Sequence, residues 1–185
     1  VTLVDHLPQL DADPGPRRVT LPVVAAGPPR GFTAGDDPLR DRFARSIRYL
    51  RVSVTDRCNF RCTYCSPEED EEDGGLLTRE ELARLFHVFA ALGVRRIRLP
   101  GGEPTLRRDL VEIVRDAAAT PGVEDVALTT NGHRLAALAG PLAEAGLGSI
   151  NVSLDTLDPA RLVGVSGAGA RLDRIAALDN FCWPD

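Results

Sequence analysis

"YLRVSVTDRCNFRCTYC", residues 49–65, opens as a strand and closes as a thiol-rich loop. Tyr49–Val54 carries the aromatic and β-branched residues of a β-strand. Three of the chain's four cysteines, Cys58, Cys62 and Cys65, then fall within eight residues. A strand that ends in such a loop places ligand-type side chains at its carboxyl end, the edge where open α/β sheets and βα barrels bind.

Downstream, the pattern repeats. The acidic run "PEEDEEDGG" (67–75) reads as a solvated loop. Thr78 and Glu81 have capping-box spacing for a helix over 79–92, with Gly93 as its stop. "RRIRLP" (95–100) is a second strand. A helix over 106–119 follows, with Leu106, Leu110, Ile113, Val114 and Ala117 on one face. "VEDVALTT" (123–130) is a third strand, a helix over 134–145 ends at Gly146, and "SINVSL" (149–154) is a fourth. Pro159 opens a short helix, and 171–179 adds a further turn or two. Strands alternating with helices of ten or more residues predict parallel pairing through right-handed crossovers, an α/β fold. Four such units are too few to close an eight-stranded barrel. Residues 1–38, rich in Pro and Gly, read as a flexible N-terminal arm with one short extended piece near Leu21–Ala25. Residues 39–185 form the core domain.

The chain has 185 residues, 43% of them hydrophobic, enough for one domain with a packed core. With 22 basic against 27 acidic residues, a formal −5, there is no general attraction to nucleic acid or to an anionic membrane. No apolar run approaches the ~20 residues of a membrane-spanning helix. The N-terminal "VTLVDHLPQLDADPGPRR" lacks the order of a signal peptide, so a cytoplasmic protein is expected. In a reducing compartment, clustered cysteines serve metal or redox chemistry more often than structural disulfides.

The spacing is C-x3-C-x2-C. Three thiolates on one loop suit an iron–sulfur cluster or zinc. A four-iron cluster normally takes four protein thiolates, so three would leave one iron open to an exogenous chelating molecule. Zinc held by the three cysteines with Cys182 or His87, and a chance cluster of buried thiols, are the alternatives. "LPGGEP" (99–104) follows the second strand. Its glycines would let backbone approach a ligand closely, and Glu103 could hydrogen-bond an ammonium; an ordinary βα turn with a helix start near Pro104 is the plainer reading. "LTTNGH" (128–133) and "NVSLDTLDP" (151–159) end the third and fourth strands with hydroxyls and amides, or else simply with turn and cap residues such as Asn131-Gly132, Thr156 and Asp158. Four consecutive strands ending in polar or cysteine motifs at one edge favour a binding site there. Arg51, Arg57, Arg61 and Arg98 lie on or beside the first two strands, and a pair of guanidiniums in a cleft suits a polyphosphate. His6, His87 and His133 carry no ligand spacing.

"CNFRCTYC" with "GGEP" resembles the radical S-adenosylmethionine enzymes. More narrowly, "YLRVSVTDRCNFRCTYC", "IRLPGGEPTLRRDL", "LTTNG" and "AGLGSINVSLDTLDP", in that order from about Leu39 to Pro159, resemble the GTP 3′,8-cyclases of molybdenum-cofactor biosynthesis. The resemblance implies a partial (βα) barrel of parallel strands, about four βα units of the radical S-adenosylmethionine fold. It implies that Cys58, Cys62 and Cys65 ligate a 4Fe-4S cluster and that S-adenosyl-L-methionine chelates the open iron. Tyr64, Gly102 and Ser153 match positions that contact this cofactor; Arg51, Arg98 and Thr129 match positions that contact GTP. It further implies that an electron from a reductant protein and the reduced cluster cleaves the sulfonium to methionine and a 5′-deoxyadenosyl radical. That radical takes hydrogen from the ribose C3′ of GTP, and the ribose carbon then attacks C8 of guanine. Two positions depart from the family: Ser66 follows the third cysteine where members carry Met, and Pro100 stands where they carry Thr, which removes a backbone N–H at the strand end. The family's remaining strands, its second cluster with three further cysteines and its Gly-Gly tail do not follow Pro159, and Cys182 does not replace that triad. The expectation is therefore a truncated core with an open edge strand and an exposed apolar face, prone to self-association or to joining a complementing C-terminal chain. A non-catalytic metal-binding fragment, and a radical enzyme acting on another substrate, remain the alternatives.

Overall fold

Thr78 begins the first long helix as the sequence predicts. Its hydroxyl accepts from the Glu81 amide at 3.2 Å, and the Glu81 carboxylate accepts from the Thr78 amide at 2.8 Å. Both groups satisfy donors that the first helical turn leaves without partners. In the computed structural model, which describes residues 39–41, 43, 45–65, 75–167 and 169–176, this helix is α1, Arg79–Ala91. Gly93 ends it at φ +100°, a backbone region costly for residues with a Cβ. The preceding strand is β1, Tyr49–Arg51, and the one after is β2, Arg96–Leu99. Then come α2, Leu110–Ala118; β3, Asp125–Thr130; α3, Leu135–Glu144; β4, Ser149–Val152; α4, Pro159–Ser166; and α5, Leu172–Ala176. The expected arm, the acidic run from Ser66 to Gly74, His6 and Cys182 lie outside the described residues. No described helix is long and apolar enough to cross a membrane.

The four strands form one parallel sheet in chain order, β1-β2-β3-β4. Sequential parallel strands joined by helices are the βα repeat that the sequence predicts. The register sorts the side chains onto two faces. Leu50, Ile97, Leu99, Val126, Leu128 and Ile150 point one way and pack with Leu82 and Phe86 of α1, Ile113 and Val114 of α2, and Leu135 and Leu142 of α3. The opposite face carries Tyr49, Arg51, Arg96, Arg98, Thr129, Ser149 and Asn151. The exposed apolar face expected for β4 is thus not present. Its outward residues Ser149 and Asn151 are polar, while Ile150 and Val152 pack against the core.

The predicted helix over 106–119 is divided. Pro104–Leu106 is a single 3-10 turn, and the chain at Arg107 is extended, with ψ 126°, before α2 begins. The cause lies outside the segment. The Arg107 guanidinium donates to the carbonyls of Val54 and Leu77, both at 2.8 Å, and to Asp109, which pins the backbone out of the helical region. Pro100, the departure at the end of β2, keeps a place in the ladder through its carbonyl, which accepts from the Val54 amide at 3.0 Å.

Candidate active site

Past Arg51 the extended chain stays tied to β2, with the Val52 amide donating to Arg98 at 3.0 Å, until it turns into the cysteine loop. Cys58 and Cys62 are half-buried, Cys65 is exposed, and all three are free thiols. The Phe60 amide donates to Cys58 Sγ at 3.4 Å, and the Cys65 amide donates to the Cys62 carbonyl at 3.0 Å. Behind the loop, Phe60 packs with Leu162, Ala170 and Ile175, and Cys58 and Cys62 lean on this small apolar cluster. Burial pushes the Cys58 thiol above its ordinary pKa, and the negative charge of Glu103, Cys62 and Cys65 adds to the effect. Three thiolates so placed repel one another, and a metal centre supplies the positive charge that offsets the repulsion.

Three cysteine thiols on one loop are the donor type of iron–sulfur clusters and of zinc. Among the described residues no three His, Cys, Asp or Glu side chains converge closely enough to hold one metal ion. His87, offered as a zinc ligand, is exposed on α1 with Nδ1 2.9 Å from the Ala83 carbonyl. It borders a depression shared with Arg79 and Asp116 and not with the cysteines.

The GGEP turn lies against the cysteine loop. The Gly102 amide donates to the Thr55 carbonyl and the Glu103 amide to the Arg57 carbonyl, both at 2.7 Å. A Cβ on Gly101 would stand 2.7 Å from the Thr55 carbonyl oxygen, and one on Gly102 would overlap the carbonyls of Asp56 and Arg57. On the side where a Cβ would stand, the close approach that these glycines allow is made by the chain's own residues 55–57. Gly102→Ala is expected to separate the two segments and destabilise the protein by about 1–3 kcal/mol, on the scale of overpacking against unyielding backbone. A urea titration with a midpoint unchanged from the parent would refute it.

Glu103 is 1% exposed and turns inward. Its Oε1 accepts from the Thr105 amide at 3.0 Å, the Thr105 hydroxyl at 2.5 Å and the Thr130 hydroxyl at 2.7 Å, while Oε2 accepts from the Asn131 amide at 2.7 Å. The carboxylate that the sequence offers to an ammonium thus already joins the GGEP turn to the end of β3. Asn131 extends the network, its Nδ2 donating to Asn59 Oδ1 at 3.0 Å inside the cysteine loop. Thr130 and Asn131 belong to the strand-end motif whose hydroxyls and amides the sequence marks, whereas nothing in the sequence singles out Asn59 or Thr105 as partners in this network. Across the site, Tyr64 Oη donates to Asp155 Oδ2 at 2.8 Å, and that bond raises the phenol's pKa well above its ordinary value. Ser153, exposed just past β4, is held by its amide on the Thr130 carbonyl at 2.8 Å.

Of the arginines singled out in the sequence, Arg61 donates to the carbonyls of Cys58 and Phe60 within its own loop. Arg51 and Arg98 are cross-strand partners, and Thr129 lies on the same face one pleat beyond Ala127, the partner of Arg98. The Arg98 guanidinium carbon sits 5.8 Å from the Tyr49 ring centroid. Arg98 Nε and Thr129 Oγ1 are buried, and neither has a hydrogen-bond partner among the described residues. Buried polar atoms are nearly always paired, so two such atoms on one basic face point to a ligand that completes them. His133 Nδ1 shares that condition; its ring packs edge-on to Phe60 at 5.9 Å, and burial, followed by the charges of Arg174 and Arg171, lowers its pKa.

Comparison with known proteins agrees with this geometry. The chain is 48% identical over 143 residues to a GTP 3′,8-cyclase of Tolumonas auensis, covering 76% of this chain and 43% of the relative. It is 49% identical over 145 residues to a GTP 3′,8-cyclase of Synechococcus elongatus, covering 77% and 44%. It is 48% identical over 141 residues to molybdenum cofactor biosynthesis protein 1 of Drosophila melanogaster, covering 75% and 25%. The chain thus spans less than half the length of these relatives. Its fold matches that of BtrN in complex with AdoMet and 2-DOIA, with a TM-score of 0.55 at 21% identity over 75% of this chain and 53% of that one. It also matches HydG, a maturase of the [FeFe]-hydrogenase, with a TM-score of 0.59 at 18% identity over 71% and 31%. The Radical SAM superfamily model matches residues 52–182, from the residue after β1 to beyond α5. With three thiols on the loop after β1, a GGEP turn packed against that loop and a four-stranded parallel sheet, the chain belongs to the radical S-adenosylmethionine superfamily, whose cofactors are a 4Fe-4S cluster and S-adenosylmethionine.

Proposed function

We propose that this chain is the cluster- and cofactor-binding portion of a GTP 3′,8-cyclase of molybdenum-cofactor biosynthesis. The observation that carries the reading is the pair of unsatisfied buried atoms, Arg98 Nε and Thr129 Oγ1, on the basic open face of the sheet. The near-50% identity to named cyclases across the segment that holds these residues supports the choice of substrate. In this reading Cys58, Cys62 and Cys65 hold the cluster, and Tyr64, Gly102 and Ser153 contact S-adenosylmethionine. When bound, the two cofactors together supply one-electron radical chemistry. The chain's own residues do the placing. Arg51 and Arg98, adjacent across β1 and β2, offer two planar forks to the triphosphate, and the Thr129 hydroxyl orients the nucleotide beside them. Phe60, Leu162, Ala170 and Ile175 exclude water from behind the thiol loop. The protein works in the cytoplasm and takes its electron from a reductant protein. The β4 edge, beyond which no further strand pairs among the described residues, is open to a further strand, from self-association or from a complementing segment.

The test is 5′-deoxyadenosine formation by the anaerobically reconstituted, reduced chain with and without GTP, alongside GTP binding by equilibrium dialysis. Formation that rises with GTP is expected. Arg98→Ala is expected to weaken GTP binding about tenfold or more, the loss of one charge-assisted hydrogen bond. Formation indifferent to GTP, with no GTP bound, would instead mean a radical enzyme acting on another substrate. A loaded cluster with neither activity nor GTP binding would mean a non-catalytic cluster-binding fragment.

A further inference from the structure

The C-terminal turn of α4 meets the cysteine loop through its backbone. The last carbonyls of a helix have no partner within it and must find donors elsewhere. Here the Arg61 amide donates to the Ser166 carbonyl at 3.1 Å and the Thr63 amide to the Val165 carbonyl at 2.9 Å. These two amides flank Cys62, so the helix end grips the loop on both sides of the middle cysteine. The turn that follows fits closely. A Cβ on Gly169 would stand 2.9 Å from the Asn59 carbonyl oxygen, and Gly167, at φ +84°, lies against Arg61. Leu162 of α4, Ile175 of α5 and Ala170 between the two helices pack beneath Phe60 of the same loop.

We infer that α4 and the turn after it are the seat of the cluster loop, and that they position Cys62 and set the electronic surroundings of whatever the thiols hold. The second part follows from where the amides go. Hydrogen bonds to cluster and cysteine sulfurs stabilise the reduced, more negative state and raise the reduction potential. In this loop the amides of Arg61, Thr63 and Cys65 are all committed to carbonyl oxygens, while Phe60 donates to a sulfur. By occupying two of the three, α4 keeps donors away from the cluster and holds its potential low, as a centre that must deliver an electron to a reluctant acceptor requires. The inference rests on the assignment of the cluster to Cys58, Cys62 and Cys65, and the experiment separates the two.

Two substitutions in the full chain test it from opposite ends of α4. Asp158→Ala removes the helix cap, in which Asp158 Oδ1 accepts from the amides of Ala160 at 2.9 Å and Arg161 at 3.2 Å. That change lies about 12 Å along the helix from the loop. Gly169→Ala drives a methyl against Asn59 directly. In the metal-free chain, hydrogen exchange at the Arg61 and Thr63 amides is expected to quicken about fivefold in Asp158→Ala, the effect of losing one cap on a helix that protects them. In the reconstituted chain, iron release to a chelator is expected to quicken in both variants, and the potential read by an electron paramagnetic resonance titration to move to less negative values. Unchanged exchange at both amides would overturn the seat. Unchanged iron release and potential, with altered exchange, would overturn its link to the cluster. A parent chain that binds no iron while keeping both amides protected would overturn the cluster assignment and leave the seat standing as backbone architecture alone.

Discussion

Glu103→Ala is expected to lower the stability of the protein by about 3–5 kcal/mol, because it strips the acceptor from several buried donors at once. The Thr130 hydroxyl and the Asn131 amide lose their bonds to the carboxylate, and Thr105 loses two. Each buried donor left unmade costs about 1–3 kcal/mol, and these donors lie around a side chain that is 1% exposed. Glu103→Gln keeps the shape but sets an amide N–H₂ against one of these donors, so it recovers part of the loss and not all. The check is urea unfolding followed by far-ultraviolet circular dichroism, with a shifted midpoint and an unchanged slope. A midpoint within error of the parent for both variants would show that the carboxylate is not what ties the GGEP turn to β3. Since Asn131 also holds Asn59, the same substitution is expected to loosen the cysteine loop and speed loss of any bound iron.

Replacing any one of Cys58, Cys62 or Cys65 with alanine is expected to abolish cluster loading. After anaerobic reconstitution the parent chain should carry about four irons and a matching amount of acid-labile sulfide, and each variant close to none. The effect is nearly all-or-none because three anchors are the fewest that hold a cube with one iron left open, and the loop has no fourth thiol nearby among the described residues. Alanine at Cys58 also removes the acceptor of the Phe60 amide, so its apoprotein should lose some order in the loop as well. One zinc per chain with no sulfide would overturn the cluster in favour of a single-ion site. Full iron and sulfide in a single-cysteine variant would remove that residue from the ligand set.

The sequence by itself settled the local structure and the residue types of the site. The Thr78–Glu81 pair encodes a cap that depends on atoms three residues apart, and it forms as written. The four strands and their helices follow from short-range periodicity, which persists whatever the rest of the chain does. The cysteine spacing is likewise local, and so is the clustering of polar motifs at strand ends. What the tertiary structure decided are the pairings between segments far apart in the chain. Glu103 reads as a free carboxylate until β3 brings Thr130 and Asn131 onto it. Gly101 and Gly102 read as backbone that can come close to a ligand, and only the fold shows that residues 55–57 of the chain itself stand against them. The helix over 106–119 breaks because Arg107 reaches carbonyls at Val54 and Leu77. Arg51 and Arg98 become neighbours, and the open face becomes polar rather than apolar, only through strand register. Nothing within 159–176 announces that its carbonyls hold the cysteine loop some hundred residues earlier. Periodicity and caps are fixed by steric and hydrogen-bonding rules among neighbours, whereas a buried acceptor or a close backbone approach acquires its partner only when the whole sheet and its helices pack.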